Sequence, residues 1–242
     1  MKTVYSIVLT LLLATFVLSC KQNRVSGTGT IETISREVGS FEGIDIEAPI
    51  DAHITITEGA APSINLKGHG NVLQEIKTEV ENGVLRIYKD DLIHFSNNED
   101  IIAEITVPAI NSLDLSGAAD AELHGILNTS SFKLSVSGAG DVKMDGINAE
   151  AFNSKLSGAG NLTINGGNVT KASYSVSGAG EIAAFPLQTK EATVSVTGVG
   201  DVELSVSDKL SASVAGAGDI TYRGTPQLTT NITGAGSIEQ DK

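Results

Sequence analysis

The chain has no tryptophan, a single cysteine and only ten aromatic residues counted as Phe plus Tyr, in 242 residues. One cysteine excludes an internal disulfide, so stability must come from packing. The scarcity of aromatics calls for a core of small aliphatic side chains, which suits thin and regular layers. Basic residues are also few, 16 Lys plus Arg against 29 Asp plus Glu, for a net charge of -13. Nucleic acid needs the opposite sign, and anionic headgroups repel such a surface. The apolar run from Val4 to Leu18 is too short to span a membrane as a helix.

That run, preceded by Lys2, reads as an export signal. It ends in Val17-Leu18-Ser19-Cys20, which resembles the bacterial lipoprotein processing box. Cys20 is then the lipidated residue, and residues 1–19 are the signal peptide. Cleavage there removes Lys2 alone among charged residues, leaving 15 basic against 29 acidic groups, a charge of -14. Lys21-Gln22-Asn23-Arg24 lacks an acidic run resembling a surface-export signal, which favours the periplasmic face of the outer membrane over the cell surface.

From Leu115 onward one phrase returns seven times: LSGAADAEL, VSGAGDVKM, LSGAGNLTI, VSGAGEIAA, VTGVGDVEL, VAGAGDITY, ITGAGSIEQ. The first glycines are Gly117, Gly138, Gly158, Gly178, Gly198, Gly216 and Gly234, in steps of 21, 20, 20, 20, 18 and 18 residues. A fixed period of this length marks a solenoid, whose units bury their apolar faces only by stacking. Before each glycine the residues alternate strictly, as in Phe132, Leu134, Val136 against Lys133, Ser135, Ser137. Such alternation is a strand with one apolar face. The pattern resumes after the corner with Val142 and Met144, Leu162 and Ile164, Ile182 and Ala184. Each repeat is therefore strand, glycine corner, strand and a looser corner such as Asp145-Gly146. Stacked in parallel, the units form an all-β, right-handed parallel β-helix, seven coils of which run about 30 Å.

The structural corner glycines are the seven above together with Gly140, Gly160, Gly180, Gly200, Gly218 and Gly236. Glycine reaches positive φ there at no steric cost, and the small residue between each pair is expected to fit where the backbone closes on the core. Residues 20–40 read as a tether. Residues 41–110 read as an N-terminal β-rich cap and 111–242 as the repeat solenoid, in one continuous domain over 41–242. Glu81-Asn82-Gly83-Val84 carries a strong hairpin signal, and Gly68-His69-Gly70-Asn71-Val72 looks like a degenerate copy of the corner, with His69 an exposed turn residue.

The processing box, the FEGIDIEAPIDAHITI opening, the VENGVLRIYKDD hairpin and the tandem SGAGD corners together resemble the head GIN domain family, grouped with auto-transporter adhesins of Bacteroidota-type bacteria. The resemblance covers about Phe41 to Gly224. It implies a right-handed parallel β-helix on an exported lipoprotein and brings no catalytic residues. Its adhesin label is an analogy of fold.

Three surfaces invite a functional reading. Asp120, Asp141, Asn161, Glu181, Asp201, Asp219 and Ser237 follow the corners and form a column. It could be a calcium ladder, but calcium-binding repeats have a nine-residue period, and Asp or Asn at a turn bonds its own backbone. A polysaccharide lyase or hydrolase needs a break in the repeat where acids and bases converge. None is visible: His53, His69, His94 and His124 are scattered, without metal-ligand spacing. The third surface is a hydroxyl-rich face, Ser135, Ser137, Ser157, Ser175, Ser177, Ser195, Thr197, Ser213 and Thr233, interrupted by Lys155, Ala215 and Asn231. It suits a glycan or an envelope protein, or simply solvent. The expectation is a lipid-anchored, non-enzymatic adhesion or interaction scaffold of the cell envelope, without metal or cofactor and free to form oligomers. A polysaccharide-active enzyme and a calcium-binding repeat protein are the alternatives.

Overall fold

The structure, a computed structural model, describes residues 23–96 and 101–241. The expected signal peptide and Cys20 lie outside the described residues. Elements are numbered β1 to β19 in chain order, with one helical turn, α1.

Two columns of parallel strands carry the fold. On the first face the spatial order is β7 (Val84–Lys89), β3 (Gly43–Ile46), β10 (Ser112–Gly117), then the C-terminal parts of β11 (Ala121–Gly138), β12 (Val142–Gly158), β14 (Gly167–Gly178), β15 (Ile182–Gly198) and β16 (Val202–Gly216), and last β18 (Gln227–Gly234). The second face stacks β9 (Ile102–Val107), β4 (Asp51–Ile56), the starts of β11 and β12, β13 (Leu162–Ile164), the starts of β15 and β16, β17 (Ile220–Arg223) and β19 (Ile238–Gln240). The middle parts of β11, β12, β14, β15 and β16 form a third side. This is the parallel β-solenoid that the alternation and period predict.

Register follows the apolar pattern, because slipping by one residue would turn every inward side chain to water. Leu134, Ser154, Tyr174, Val194 and Ala212 stack in one inward row, next to Phe132, Phe152, Ala172, Ala192 and Leu210. All ten are buried. Three of the few aromatics cluster here: Phe132 lies nearly parallel to Phe152 at 6.0 Å, and Phe152 meets Tyr174 edge-on at 5.8 Å. Burial pushes the Tyr174 phenol up, against a weaker opposing effect of the neighbouring Thr189. The shortening of the repeat also has a place. Between β15 and β16 the register offset drops from 20 (Ala184 to Leu204) to 17 (Gln188 to Ser205) and settles at 18 (Glu191 to Lys209). Phe185-Pro186-Leu187 is the bulge that absorbs the difference, with the Phe185 carbonyl accepting from the Ser205 hydroxyl at 2.7 Å.

The N-terminal end is built differently from expectation. The coil made by β3 and β4 lies inside the stack, between β10 and β11 on one side and the later residues of β7 and β9 on the other. The chain thus lays its first coil and then folds back over it. The cap over that coil is antiparallel: β2 (Ile31–Arg36) pairs with β5 (Ser63–His69), β5 with β9, and β6 (Ile76–Glu81) with β7. The hairpin between β6 and β7 turns at Asn82 and Gly83, with φ of 50° and 78°, as its Asn-Gly pair predicts.

Two readings need correction. Residues 20–40 are not a free tether over their described part, because β2 pairs along its whole length with β5, and β1 (Asn23–Val25) runs parallel to β8 (Ile93–Phe95). Ile31 and Ile34 point to opposite faces of β2 and Ile31 is exposed, so the strand's pairing owes more to backbone hydrogen bonds and to Arg36, whose Nη2 donates to the Leu73 carbonyl at 2.9 Å. Nor is Gly68-His69-Gly70 a corner. Gly68 is buried near the end of β5, His69 is half-buried, and Gly70 opens the turn α1 (Gly70–Leu73), which buries Val72 and Leu73. Gly68 is small because Leu73 packs on it, 3.1 Å from where a Cβ would sit.

Candidate functional surface

The corners decide what the surface can present. The first glycine of each has φ between 99° and 152°, a region that L side chains avoid. A second reason appears from Gly138 onward. A Cβ at any first glycine would lie 2.0 to 2.3 Å from the carbonyl oxygen of the first glycine one coil below, and at any second glycine from Gly140 to Gly236 equally close to its own lower counterpart. The second glycines need no special φ and owe their identity to this backbone contact, joined at Gly200, Gly218 and Gly236 by a valine side chain 2.6 to 2.9 Å from where a Cβ would sit. The close approach of the first glycines is productive: the middle residue's N–H, as in Ala139, Ala159 and Ala179, donates to the first glycine's carbonyl one coil below at 2.9 Å. Ala119 occupies a second-glycine position in the first corner, where the coil beneath turns through Glu47-Ala48-Pro49-Ile50 instead.

The middle residues do not fit against the core as expected. Ala139, Ala159, Ala179 and Ala217 are exposed, and Val199 is 61% exposed. The buried position is the second glycine, so the middle side chain points outward and bulk there is harmless.

The post-corner column does form, and its chemistry differs from turn capping within one coil. Asp120 Oδ1 accepts from the Asp141 N–H at 2.7 Å, and Asp141 Oδ1 from the Asn161 N–H at 3.0 Å. Asn161 Oδ1 does the same for Glu181 at 3.0 Å, Asp201 for Asp219 at 2.8 Å, and Asp219 for Ser237 at 2.7 Å. Each of these five side chains thus caps the next coil's backbone, while the next coil's carbonyl accepts from the residue after it, as in Ala121 to Asp141 at 2.8 Å. An oxygen acceptor is what this job requires, which explains why Asn161 replaces Asp without loss. A similar ladder that the sequence reading missed runs along the third side, where Asn148 Nδ2 donates to Asn128 Oδ1 at 2.9 Å and Asn148 Oδ1 accepts from the Asn168 N–H at 3.1 Å. The signal was available as Asn at constant offset: 128, 148, 168.

The hydroxyl face also assembles in register. Ser137, Ser157, Ser177, Thr197, Ala215 and Thr233 make one outward row, and Ser135, Lys155, Ser175, Ser195, Ser213 and Asn231 the next. Beside these rows an open groove of about 390 Å³ is lined by Lys171, Glu191, Thr193, Lys209, Ser211 and Thr229, with Lys171 and Glu191 paired at 3.8 Å. Along the stack Lys171, Glu191 and Lys209 form a row of alternating charge, and Thr193, Ser211 and Thr229 a row of hydroxyls beside it.

Of the four histidines, two are brought together: His53 and His124 meet edge-on at 6.3 Å, with His124 at 3.6 Å from Glu122 and 3.8 Å from Asp145. Spacing along the sequence hides this, because the two strands are separated by the cap. Among the described residues no group of three or more His, Cys, Asp or Glu is arranged to hold a metal ion. The cap carries the densest charge. Arg86 faces Glu47 at 2.7 Å, Glu81 at 3.4 Å, and Asp45 and Glu79 at 3.7 Å. Burial, with the adjacent Glu47 and Asp114 carboxylates, pushes Asp45 up to about 6, whereas the Arg86 hydrogen bond holds Glu47 down. Among the described residues no helix is long and apolar enough to cross a membrane.

No curated protein matches the sequence. Solved structures do match the fold. A Bacteroides fragilis protein described as a "putative adhesin" superposes with a TM-score of 0.86 at 23% identity, over 90% of this chain and 100% of that one. A "putative lipid binding protein" from Parabacteroides distasonis gives 0.76 at 21% identity, and a "putative adhesin" from Parabacteroides merdae 0.72 at 20%, each over 91% of this chain and all of the other. At these identities the likeness is one of fold. Residues 40–226, which span the cap apart from β2 and the stacked coils up to the last, match the family model described as "putative auto-transporter adhesin, head GIN domain"; the chain belongs to that family.

Proposed function

We propose that the protein is an exported scaffold, anchored to the outer membrane through a lipid on Cys20, that serves adhesion or interaction in the cell envelope and performs no catalysis. The observation that carries this reading is the use made of the acidic column. One side-chain oxygen of each of Asp120, Asp141, Asn161, Asp201 and Asp219 accepts from a backbone N–H of the adjoining coil at 2.7 to 3.0 Å, which supports a stacking role for the column over general acid or base work. What remains free is a regular surface of hydroxyl, amide and lysine groups, whose chemistry suits a glycan or an envelope protein. Family membership supports the same reading.

Protease treatment of intact cells, followed by fractionation, tests it. Recovery in the outer-membrane fraction is expected; digestion from outside assigns the adhesive role, and protection assigns a periplasmic interaction role. Recovery in the cytoplasmic fraction would refute the proposal.

A further inference from the structure

The two ends of the stack are finished differently. At the N-terminal end the outermost strands carry charge: Lys77, Glu79 and Glu81 on β6, Glu32 and Arg36 on β2. Charged side chains on edge strands discourage pairing with another chain. At the other end, among the described residues, β18 pairs only with β16 and its outer side is open. It has none of those deterrents. Gly224 to Ile238 is a run of 15 residues without a charge in a chain of net charge -13. The inward row also ends unsealed: Leu228 and Ile232 continue the buried positions of Leu210 and Val214 yet are 44% and 47% exposed.

We infer that this open end docks a second copy of the chain, β18 against β18, in an antiparallel pair about a twofold axis through Thr230. Charge selects the occupant's face. Two copies this acidic repel each other over most of their surface, and β18 is the edge where no like charges meet. On the adjoining face β19 bears Glu239, and Asp241 is already held by Arg223 at 2.5 Å, so the axis falls on β18. Register then follows from the pleat, since paired residues share a face. With Thr230 opposite itself, Leu228 meets Ile232 of the second copy, Ile232 meets its Leu228, and both apolar rows continue across the junction. Shifting the axis by one residue in either direction opposes Leu228 or Ile232 to Thr230, and breaks the match. An isologous contact of this kind closes at two copies. Described strand β1 sits in the cap end, so the docking end is the one remote from the proposed anchor, but the pairing itself does not depend on anchoring.

The test uses the chain from Lys21 onward, which contains every described element and lacks Cys20. Sedimentation equilibrium is expected to show a reversible dimer at about 100 µM, with Leu228→Lys plus Ile232→Lys weakening it by at least about tenfold. In case that pair disorders the last coil, a covalent probe stands beside it. Under mild oxidation Thr230→Cys should give a disulfide-linked dimer, because the residue faces its own copy, whereas Thr229→Cys, which faces Asn231, should not. A wild-type chain that stays monomeric, or equal cross-linking of the two cysteine variants, would overturn the inference. Neither result bears on the localisation experiment above.

Discussion

At Gly138 an added Cβ would sit 2.0 Å from the Gly117 carbonyl oxygen and would also have to accept a φ of 136°, whereas at Gly117 the space is open and only a φ of 99° stands against it. The two sites therefore separate torsional strain from steric clash. Gly117→Ala should cost about 1–2 kcal/mol, Gly138→Ala more than that, and Gly140→Ala should also destabilise although its φ is ordinary. Ala139→Val, on an exposed middle residue, should stay within about 0.5 kcal/mol. Thermal melts of the four variants check the order; equal losses at Ala139 and Gly140 would contradict it. The acidic column makes a separate prediction. Asp141→Asn, Asp201→Asn and Asp219→Asn together keep an oxygen acceptor for each N–H, so the melting temperature should change little and should ignore millimolar calcium in both forms. Asp141→Ala removes the acceptor and should cost about 1 kcal/mol. A calcium-dependent rise lost in the triple Asn variant would instead support the metal-binding alternative, since an ion at a hundredfold excess over its Kd stabilises by about 2.7 kcal/mol.

At the scale of the elements, the cap carries consequences that a tether would not. Arg36 on β2 donates into α1, so Arg36→Ala should lower stability by about 1–2 kcal/mol, where a residue in a free linker would be silent. Asp45 on β3 adds a dependence on pH. Its folded pKa of about 6 lies above the ordinary 3.8, so its contribution is fully present at low pH and is lost as pH rises from about 4 through about 6. Glu47 is shifted the other way, from 4.5 downward, and its contribution is lost only as pH falls below that range. The window between about 4.5 and 6 therefore belongs to Asp45: the wild type should lose stability across it on raising pH, and Asp45→Asn should flatten the curve.

These elements also mark what the sequence discloses. The strands of the repeats, their register and the corner positions are legible because one apolar row and a glycine pair recur at a near-constant step. The cap is not, since β2 has few apolar residues and finds its partner antiparallel and 30 residues away at Ser35 and Asn65. Gly68 and Gly70 imitate a corner in letters while making room for side chains, Leu73 of α1 at Gly68 and Glu32 of β2 at Gly70. The candidate surface was legible as columns, but not in its direction of bonding, because a composition of Asp, Asn and Ser at turns fits an intra-coil and an inter-coil acceptor equally well. The meeting of His53 and His124 depends on β4 pairing with β11 across the intervening cap, which no local pattern encodes.

For the whole molecule, all described strands but β1 and β8 belong to one hydrogen-bonded sheet whose polar column holds coils together, and the proposed scaffold role rests on where it is held and what it meets. The cap end adjoins the residues that follow Cys20, and the described residues offer no long apolar helix as another anchor. On the reading proposed above, holding the protein at a membrane falls to a lipid on Cys20. The most direct measurement is the partition of the Cys20→Ala variant against the wild type between washed membranes and the soluble fraction. Wild type in the membranes with the variant released to the soluble fraction is the predicted result; a variant retained in washed membranes as fully as the wild type would contradict the account.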